Sequence, residues 1–382
     1  MAESPWQGDV VGLVEAFRSG DRHPREEVEA VLAAVEADGR LNAVCHVDAE
    51  AALAAAATAD VVQPFGGVPL AVKELLPVAG WPDTEASVAL ADRVAVADAI
   101  PVERLRAAGA IPTVQTTSSE FGGVNQTTTK LHGSTRNPWG VDRTPGGSSG
   151  GSAAGVAGGL FALATASDGG GSIRIPAGFC GLVGLKPTYG RVPKGPVLGN
   201  LTAVEGCVSR SVRDTARWLD VTNGTDPRDP FSLPRVDEFE GRLGEGIADL
   251  AGLRVAIVPD HGCAVVAPET EEIVVAAAEE LLAAMGATRV DLDLRLPNIM
   301  GAWGLTGAIG LRRELGDRWP DCAPELTGMM RASVRQAEER IDLEAMVKAE
   351  NRRVELNRAM AELFDQVDLV LAATNPSTAF DA

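Results

Sequence analysis

Apolar positions along the chain change period several times, and each period predicts an element. Val10, Val11, Leu13, Val14 and Phe17 fall on one face of a helix. Pro24 suits the first turn of a second helix, carrying Val28, Val31, Leu32 and Val35 and stopping near Gly39. An Ala-rich helix follows over 49–59. Short apolar runs then alternate with helical ones, giving strands at 68–72 and 110–115 and helices at 102–108 and 212–221. The polar, acidic stretch at 225–246 reads as a surface excursion. Beyond it come a strand at 253–258, a helix at 268–285, strand-like alternation at 288–294, and helices at 299–315 and 341–364. The last apolar run, Val367 to Thr374, reads as a buried strand. Strands interleaved with helices predict an α/β chain. No repeat or low-complexity linker divides it, so one domain over 1–382 is expected, with N-terminal helices at 1–60, a core at 61–222 and the remainder at 223–382.

Composition narrows the function classes. With 45% hydrophobic residues, disorder of the whole chain is excluded. The 34 basic and 53 acidic residues give a formal net charge of −19, which argues against nucleic acid and against anionic membranes as partners. The weakly polar stretch at 153–166 is too short and Gly-rich to span a bilayer. The N-terminus lacks the basic and apolar regions of a signal peptide, and the five scattered cysteines suit free thiols in a reducing compartment, so a cytoplasmic protein is expected. The four histidines are far apart in sequence, and no zinc-type cluster can be read from them.

The candidate chemistry lies in residues 137–199, dominated by Gly, Ser and Pro. Two segments stand out: Thr144-Pro-Gly-Gly-Ser-Ser-Gly-Gly-Ser152, and the stretch from Ser167-Asp-Gly-Gly-Gly-Ser172 to Thr188. A flexible linker would not be interleaved with Phe161, Leu163, Ile173, Ile175, Phe179, Leu182, Val183 and Leu185, which demand burial. Glycines embedded in apolar sequence mark unusual backbone or close approach to a ligand. A phosphate-binding P-loop is disfavoured, because Gly150-Gly151-Ser152 lacks the lysine. Gly146-Gly-Ser-Ser-Gly150 matches the nucleophile elbow of α/β-hydrolases, but the preceding strand is missing and His261 is the only downstream histidine.

Taken together, the two segments closely resemble the amidase signature family of Ser–Ser–Lys hydrolases. The resemblance runs from about residue 9 to the end and is most specific across 146–152, 168–176 and 181–188. Gly66-Gly-Val-Pro-Leu-Ala-Val-Lys73 and Ser134-Thr-Arg-Asn-Pro-Trp139 support it. It implies an amidase-signature fold, a mixed, mostly parallel twisted sheet covered by helices on both faces. It implies Ser172 as nucleophile, Ser148 as proton relay and Lys73 as base. The oxyanion hole would be the backbone N–H groups of Gly169, Gly170, Gly171 and Ser172, and the Gly147–Ser148 peptide bond would be cis. Neither metal nor organic cofactor is implied. The reaction would be hydrolysis of a linear carboxylic amide, a small-molecule substrate, and a homodimer is compatible with it.

The residue types suit that chemistry. A serine hydroxyl needs a base, and a lysine serves once burial among Val68, Leu70, Ala71 and Val72 lowers its pKa. From its position alone, Lys73 reads as a surface lysine at a strand end; the serine motifs reverse that reading. In supporting roles, Asp168 is expected to hold the loop through backbone N–H groups, Arg174 to pair with a carboxylate, and Ser149 and Ser152 to cap or pack a helix. Cys180 is expected to be buried and inert, and His132 to be a loop residue. Gly169 stands where family members often carry Thr, and Ile175 where tRNA-dependent amidotransferase subunits commonly carry Gln. Ile175 and the acidic charge favour a plain amidase over the glutaminase subunit of such an amidotransferase. Against an inactive or truncated homologue stand the intact Lys73, Ser148 and Ser172. Family members continue past the strand at 367–374, so the end of the sheet and one wall of the substrate pocket are expected to be missing.

Overall fold

The structure, a computed structural model, describes residues 4–195 and 202–382. Residues 1–3 and 196–201, on which parts of the sequence reading fall, lie outside them. The chain divides into two compact units, one of residues 1–241, 314–331 and 379–382, the other of residues 242–313 and 332–378. Among the described residues no helix is long and apolar enough to cross a membrane.

In the first unit the elements run α1 Val10–Ser19, α2 Pro24–Ala37, β1 Val44–Val47, α3 Ala49–Ala57, β2 Pro69–Lys73, α4 Ile100–Ala107 and β3 Ile111–Thr116. A small ladder of β4 Thr128–Thr129 and β5 Gly133–Ser134 follows. Then come α5 Gly150–Ala157, β6 Leu163–Asp168, α6 Arg174–Cys180, β7 Val183–Leu185, β8 Val204–Ser209 and α7 Val212–Thr222. The helices start where local chemistry allows. Asp9 caps α1, accepting from Gly12 N at 2.8 Å, and Ser211 caps α7, accepting from Asp214 N at 3.0 Å.

Six strands form one mixed sheet in the order β1-β3-β2-β6-β8-β7. The central pairs β3–β2 and β2–β6 are parallel; the flanking pairs are antiparallel. Every residue of β2 and β3 is buried, as parallel strands covered on both faces require. Strand alternation sorts the apolar residues onto two faces. Leu70 and Val72 of β2, Leu163 of β6 and Cys207 of β8 pack with Leu13 of α1, Leu105 of α4 and Trp218 of α7. Ala71, Ala164, Ala166 and Val208 pack with Val31 of α2, Ala154 of α5, and Ile173 and Ala177 beside and in α6. Lys73, two residues after Ala71, therefore starts on the α5 face.

The glycines of the first motif are partly a packing device. A β-carbon on Gly151 would lie 2.5 Å from the Ala43 carbonyl oxygen, and one on Gly155 would lie 2.0 Å from Phe161 Cζ. The buried Phe161 ring has nowhere to go. Gly155→Ala is therefore expected to destabilise the fold by about 2 kcal/mol through overpacking, read as a lowered Tm.

The second unit contains β9 Arg254–Ile257, α8 Pro268–Met285, β10 Thr288–Arg289 and β11 Leu369–Leu371. Helices α9 Met300–Leu315, α10 Gly328–Arg340 and α11 Leu343–Phe364 complete the chain. The three strands form a parallel sheet, β10-β9-β11.

Two expectations change here. The alternation at 288–294 does send Val290, Leu292 and Leu294 inward, but the ladder pairs only Thr288 and Arg289, with Arg254 and Val255 of β9. The run at 367–374 is an edge strand rather than a buried one. Val367 is buried, yet Leu369 is 40% exposed, because β11 is paired on one side alone among the described residues. Helix α10, which the apolar pattern left unassigned, is largely polar.

Candidate active site

Lys73 is the last residue of β2 and is fully buried. Its backbone N–H donates to Thr165 Oγ1 of the neighbouring β6 at 2.9 Å. Its ammonium nitrogen reaches two hydroxyls: Nζ donates to Ser148 Oγ at 2.7 Å and to Ser167 Oγ at 2.9 Å. Ser148 stands just before α5, and the Gly147–Ser148 peptide bond is cis. Ser119 N–H donates to the Ser148 carbonyl at 3.2 Å, and the turn at 120–122 walls that side. Phe121 and Gly122 have φ of 52° and 66°, and a β-carbon on Gly122 would sit 3.4 Å from Ser148 Oγ.

The nucleophile candidate sits on the loop after β6. Asp168, buried at the strand's end, organises this loop with one carboxylate. It accepts from the N–H groups of Gly171 (2.8 Å), Ile173 (3.1 Å) and Arg174 (3.3 Å). The Arg174 guanidinium closes on it with two further bonds, at 2.9 and 2.8 Å. Burial pushes the Asp168 pKa up, but the Arg174 pair and the amides outweigh it and hold the carboxyl below its ordinary value.

Ser172 is half-buried at the turn into α6. Its carbonyl accepts from Ser149 N–H at 3.2 Å, which docks the two serine motifs through backbone. Its hydroxyl makes no hydrogen bond among the described residues, so Lys73 and Ser148 are joined directly while Ser172 is adjacent but unbonded.

The expected oxyanion donors are corrected at one position. The Gly171 N–H points at Asp168, so it is committed to the loop's own structure. The N–H groups of Gly170 and Ser172 make no hydrogen bond among the described residues. Ser149 occupies the N-cap of α5 without capping it; its hydroxyl meets the backbone of Ser167 at 3.4 Å. Ser152 is a packing residue, bonded to Thr116 Oγ1 at 2.7 Å and to the Thr165 carbonyl at 2.8 Å.

The electrostatics of Lys73 are decided by burial. Desolvation takes its pKa from 10.5 down to about 8, although Glu205, Asp168, Glu85 and Glu74 all pull it back up. Roughly one such amine in five is neutral at pH 7.4, against about one in a thousand for a solvated lysine.

A second group lies behind the site. Cys45, Glu74 and His132 bring ligand-type atoms within 4.8 Å of one another. These atoms already bond one another: Cys45 Sγ donates to Glu74 at 3.4 Å, and His132 Nε2 meets Glu74 at 3.2 Å. Ser118 N–H and Thr84 complete the ring around Glu74 at 3.2 and 3.3 Å. Burial, then the Glu74 charge, pushes the Cys45 thiol well up, so it stays protonated. The cluster is a hydrogen-bonded strut, and His132, a loop residue on the turn between β4 and β5 as expected, contributes its ring to it. All five cysteines are free; Cys180 is buried with its pKa pushed up to about 12, hence inert.

This geometry has relatives. The profile of the Amidase family matches residues 26–382. The chain belongs to the amidase signature family.

Its members are amidohydrolases. A glutamyl-tRNA(Gln) amidotransferase subunit of Akkermansia muciniphila is 35% identical over 98% of this chain and 84% of its own length. An acylamidase of Rhodococcus erythropolis is 38% identical over 70% of this chain and 59% of its own. In three dimensions the chain is similar to a bacterial aryl acylamidase of the same family, with a TM-score of 0.91 and 29% identity, covering 98% of this chain and 81% of that one. The α/β fold expected from the sequence is thus the fold found.

Two site features escaped the sequence reading. Ser167 gives Lys73 its second hydroxyl, and its only sequence mark is its place one residue before Asp168 on an alternating strand. The 120–122 turn carried no signal beyond its two glycines, Gly122 and Gly123. The Asp168 clamp is testable. Asp168→Asn removes the charge facing Arg174 and one acceptor for several donors. It is expected to lower stability by about 2 kcal/mol and kcat/KM by about a hundredfold, measured by thermal unfolding and steady-state kinetics. Because the folded pKa is depressed, this contribution is complete at neutral pH and is lost as pH falls through it.

Proposed function

We propose that this chain hydrolyses linear carboxylic amides through an acyl-enzyme on Ser172, with Ser148 as proton relay and Lys73 as base. The observation that carries this reading is the 2.7 Å bond from Lys73 Nζ to Ser148 Oγ, in a buried site where the lysine pKa is down to about 8. Neutral Lys73 accepts the Ser148 proton, and Ser148 accepts that of Ser172. The freed Ser172 oxygen bonds to the amide carbon, and the carbonyl electrons move onto its oxygen. The N–H groups of Gly170 and Ser172, two of the four expected donors, serve that oxyanion, each worth about 3 kcal/mol when preorganised. The proton returns along the relay to the leaving nitrogen, the C–N bond breaks, and ammonia or an amine departs. Water then enters by the same relay and releases the acid.

The test is fluorophosphonate labelling of the purified chain with mass-spectrometric mapping, followed by an amide panel of aliphatic amides, anilides, C-terminal peptide amides and glutamine. A single label on Ser172 supports the reading, and a label elsewhere sinks it. Glutamine is included because of the similarity to amidotransferase subunits. Strict glutamine dependence together with a co-purifying partner would favour that second reading.

A further inference from the structure

Four carboxylates act on Lys73 through space, those of Glu205, Asp168, Glu85 and Glu74. Three of them are engaged elsewhere. Asp168 takes the Arg174 guanidinium and three amides. Glu85 lies 3.6 Å from Arg93, a cation it shares with Asp83 and Glu314. Glu74 sits in the ring of Ser118, Thr84, Cys45 and His132. Glu205 is the exception. It stands on β8 directly opposite Ser167 in the antiparallel ladder, and Ser167 holds Lys73 Nζ. Residues so opposed project to the same side of the sheet, with β-carbons about 5 Å apart. Glu205 Oε2 is buried and has no hydrogen-bond partner among the described residues. Burial pushes the Glu205 carboxyl above its ordinary value, and the two cations that pull it back toward the charged form are Lys194 and Lys73.

A buried carboxylate oxygen without a partner is costly, and it persists where a nearby cation compensates. Lys73 becomes such a cation in every turnover, when it takes the proton from Ser148. We propose that Glu205 is a positioning residue for Lys73, its carboxylate beside Ser167 stabilising the ammonium that forms during the reaction. The inference rests on the Lys73–Ser148–Ser172 reading. No proton moves to Glu205: the proton travels from Ser172 through Ser148 to Lys73 and back to the leaving amine. Glu205 acts by charge alone, making Lys73 a stronger base than burial would leave it.

Removing the negative charge disfavours the ammonium, so Lys73 loses its proton at lower pH and is a weaker base on the plateau. The experiment follows the rate of fluorophosphonate labelling of Ser172, and kcat and KM on the best amide of the panel, against pH. In Glu205→Gln the midpoint of the rising limb is expected about one pH unit lower, with kcat on the plateau down about tenfold and KM unchanged. Glu205→Asp restores the midpoint. Lys194→Met, which leaves Glu205 facing Lys73 alone, moves the midpoint upward and covers the case in which Glu205→Gln does not fold. An unmoved limb in folded Glu205→Gln, or in Lys194→Met, overturns the inference while the Ser172 reading stands. No labelling of Ser172 in the unaltered chain overturns the reading, and this inference with it.

Discussion

Ser172→Ala is expected to lower kcat/KM on any amide the chain hydrolyses by about 10⁵-fold, equivalent to about 7 kcal/mol of transition-state stabilisation. The reason is chemical. With the hydroxyl gone there is no atom to form the acyl-enzyme, and the relay through Ser148 has nothing to deprotonate. The residual rate would come from the oxyanion donors acting on water. Because the Ser172 hydroxyl makes no hydrogen bond among the described residues, the melting temperature is expected to stay within a degree or two of the parent. A variant that melts normally, loses fluorophosphonate labelling and loses turnover matches the expectation. Labelling that survives the substitution, on Ser148 for example, would show that the half-exposed serine is not the nucleophile.

Lys73→Met is the second large effect, a fall of about 10⁴-fold in kcat/KM at pH 7.5 with Ser172 intact. Methionine keeps the apolar volume of a fully buried side chain and removes the base. Lys73→Arg is not expected to rescue activity, since a guanidinium keeps its proton at any accessible pH.

The pH profile of the unaltered chain carries the same information. The neutral amine is the working form and its conjugate acid has a pKa of about 8. Activity should therefore rise about tenfold per pH unit below that value and level off above it. A kcat/KM profile that is flat from pH 6 to 9 would remove Lys73 from the role of base.

Much of the molecule was legible from residue patterns alone. The helix at 268–285 has the expected ends because Pro268 suits a first turn and Gly286, at φ 66°, terminates it. The apolar run at 68–72 reads as a short strand, and the structure makes it β2, a central strand buried on both faces. What patterns missed depends on partners. The alternation at 288–294 predicts which residues turn inward, but not how far the chain stays beside its neighbour: only Thr288 and Arg289 pair with β9. The terminal run looked buried because its residues are apolar; its real exposure depends on how many neighbours the sheet supplies.

The same division runs through the site. Its residue types and spacing were determined by the sequence: a lysine closing an apolar strand, two serines 24 positions apart, and glycines before the second. Local chemistry along the chain carries those. Only the tertiary structure decided that Lys73 Nζ reaches Ser148 and Ser167, that the Gly171 N–H turns to Asp168, and that Glu205 stands opposite Ser167 in the β6–β8 ladder. Each is a contact between segments 3 to 94 residues apart. The pKa of Lys73 belongs to the same class, because desolvation is set by everything that packs around a group and not by the residues beside it in the chain.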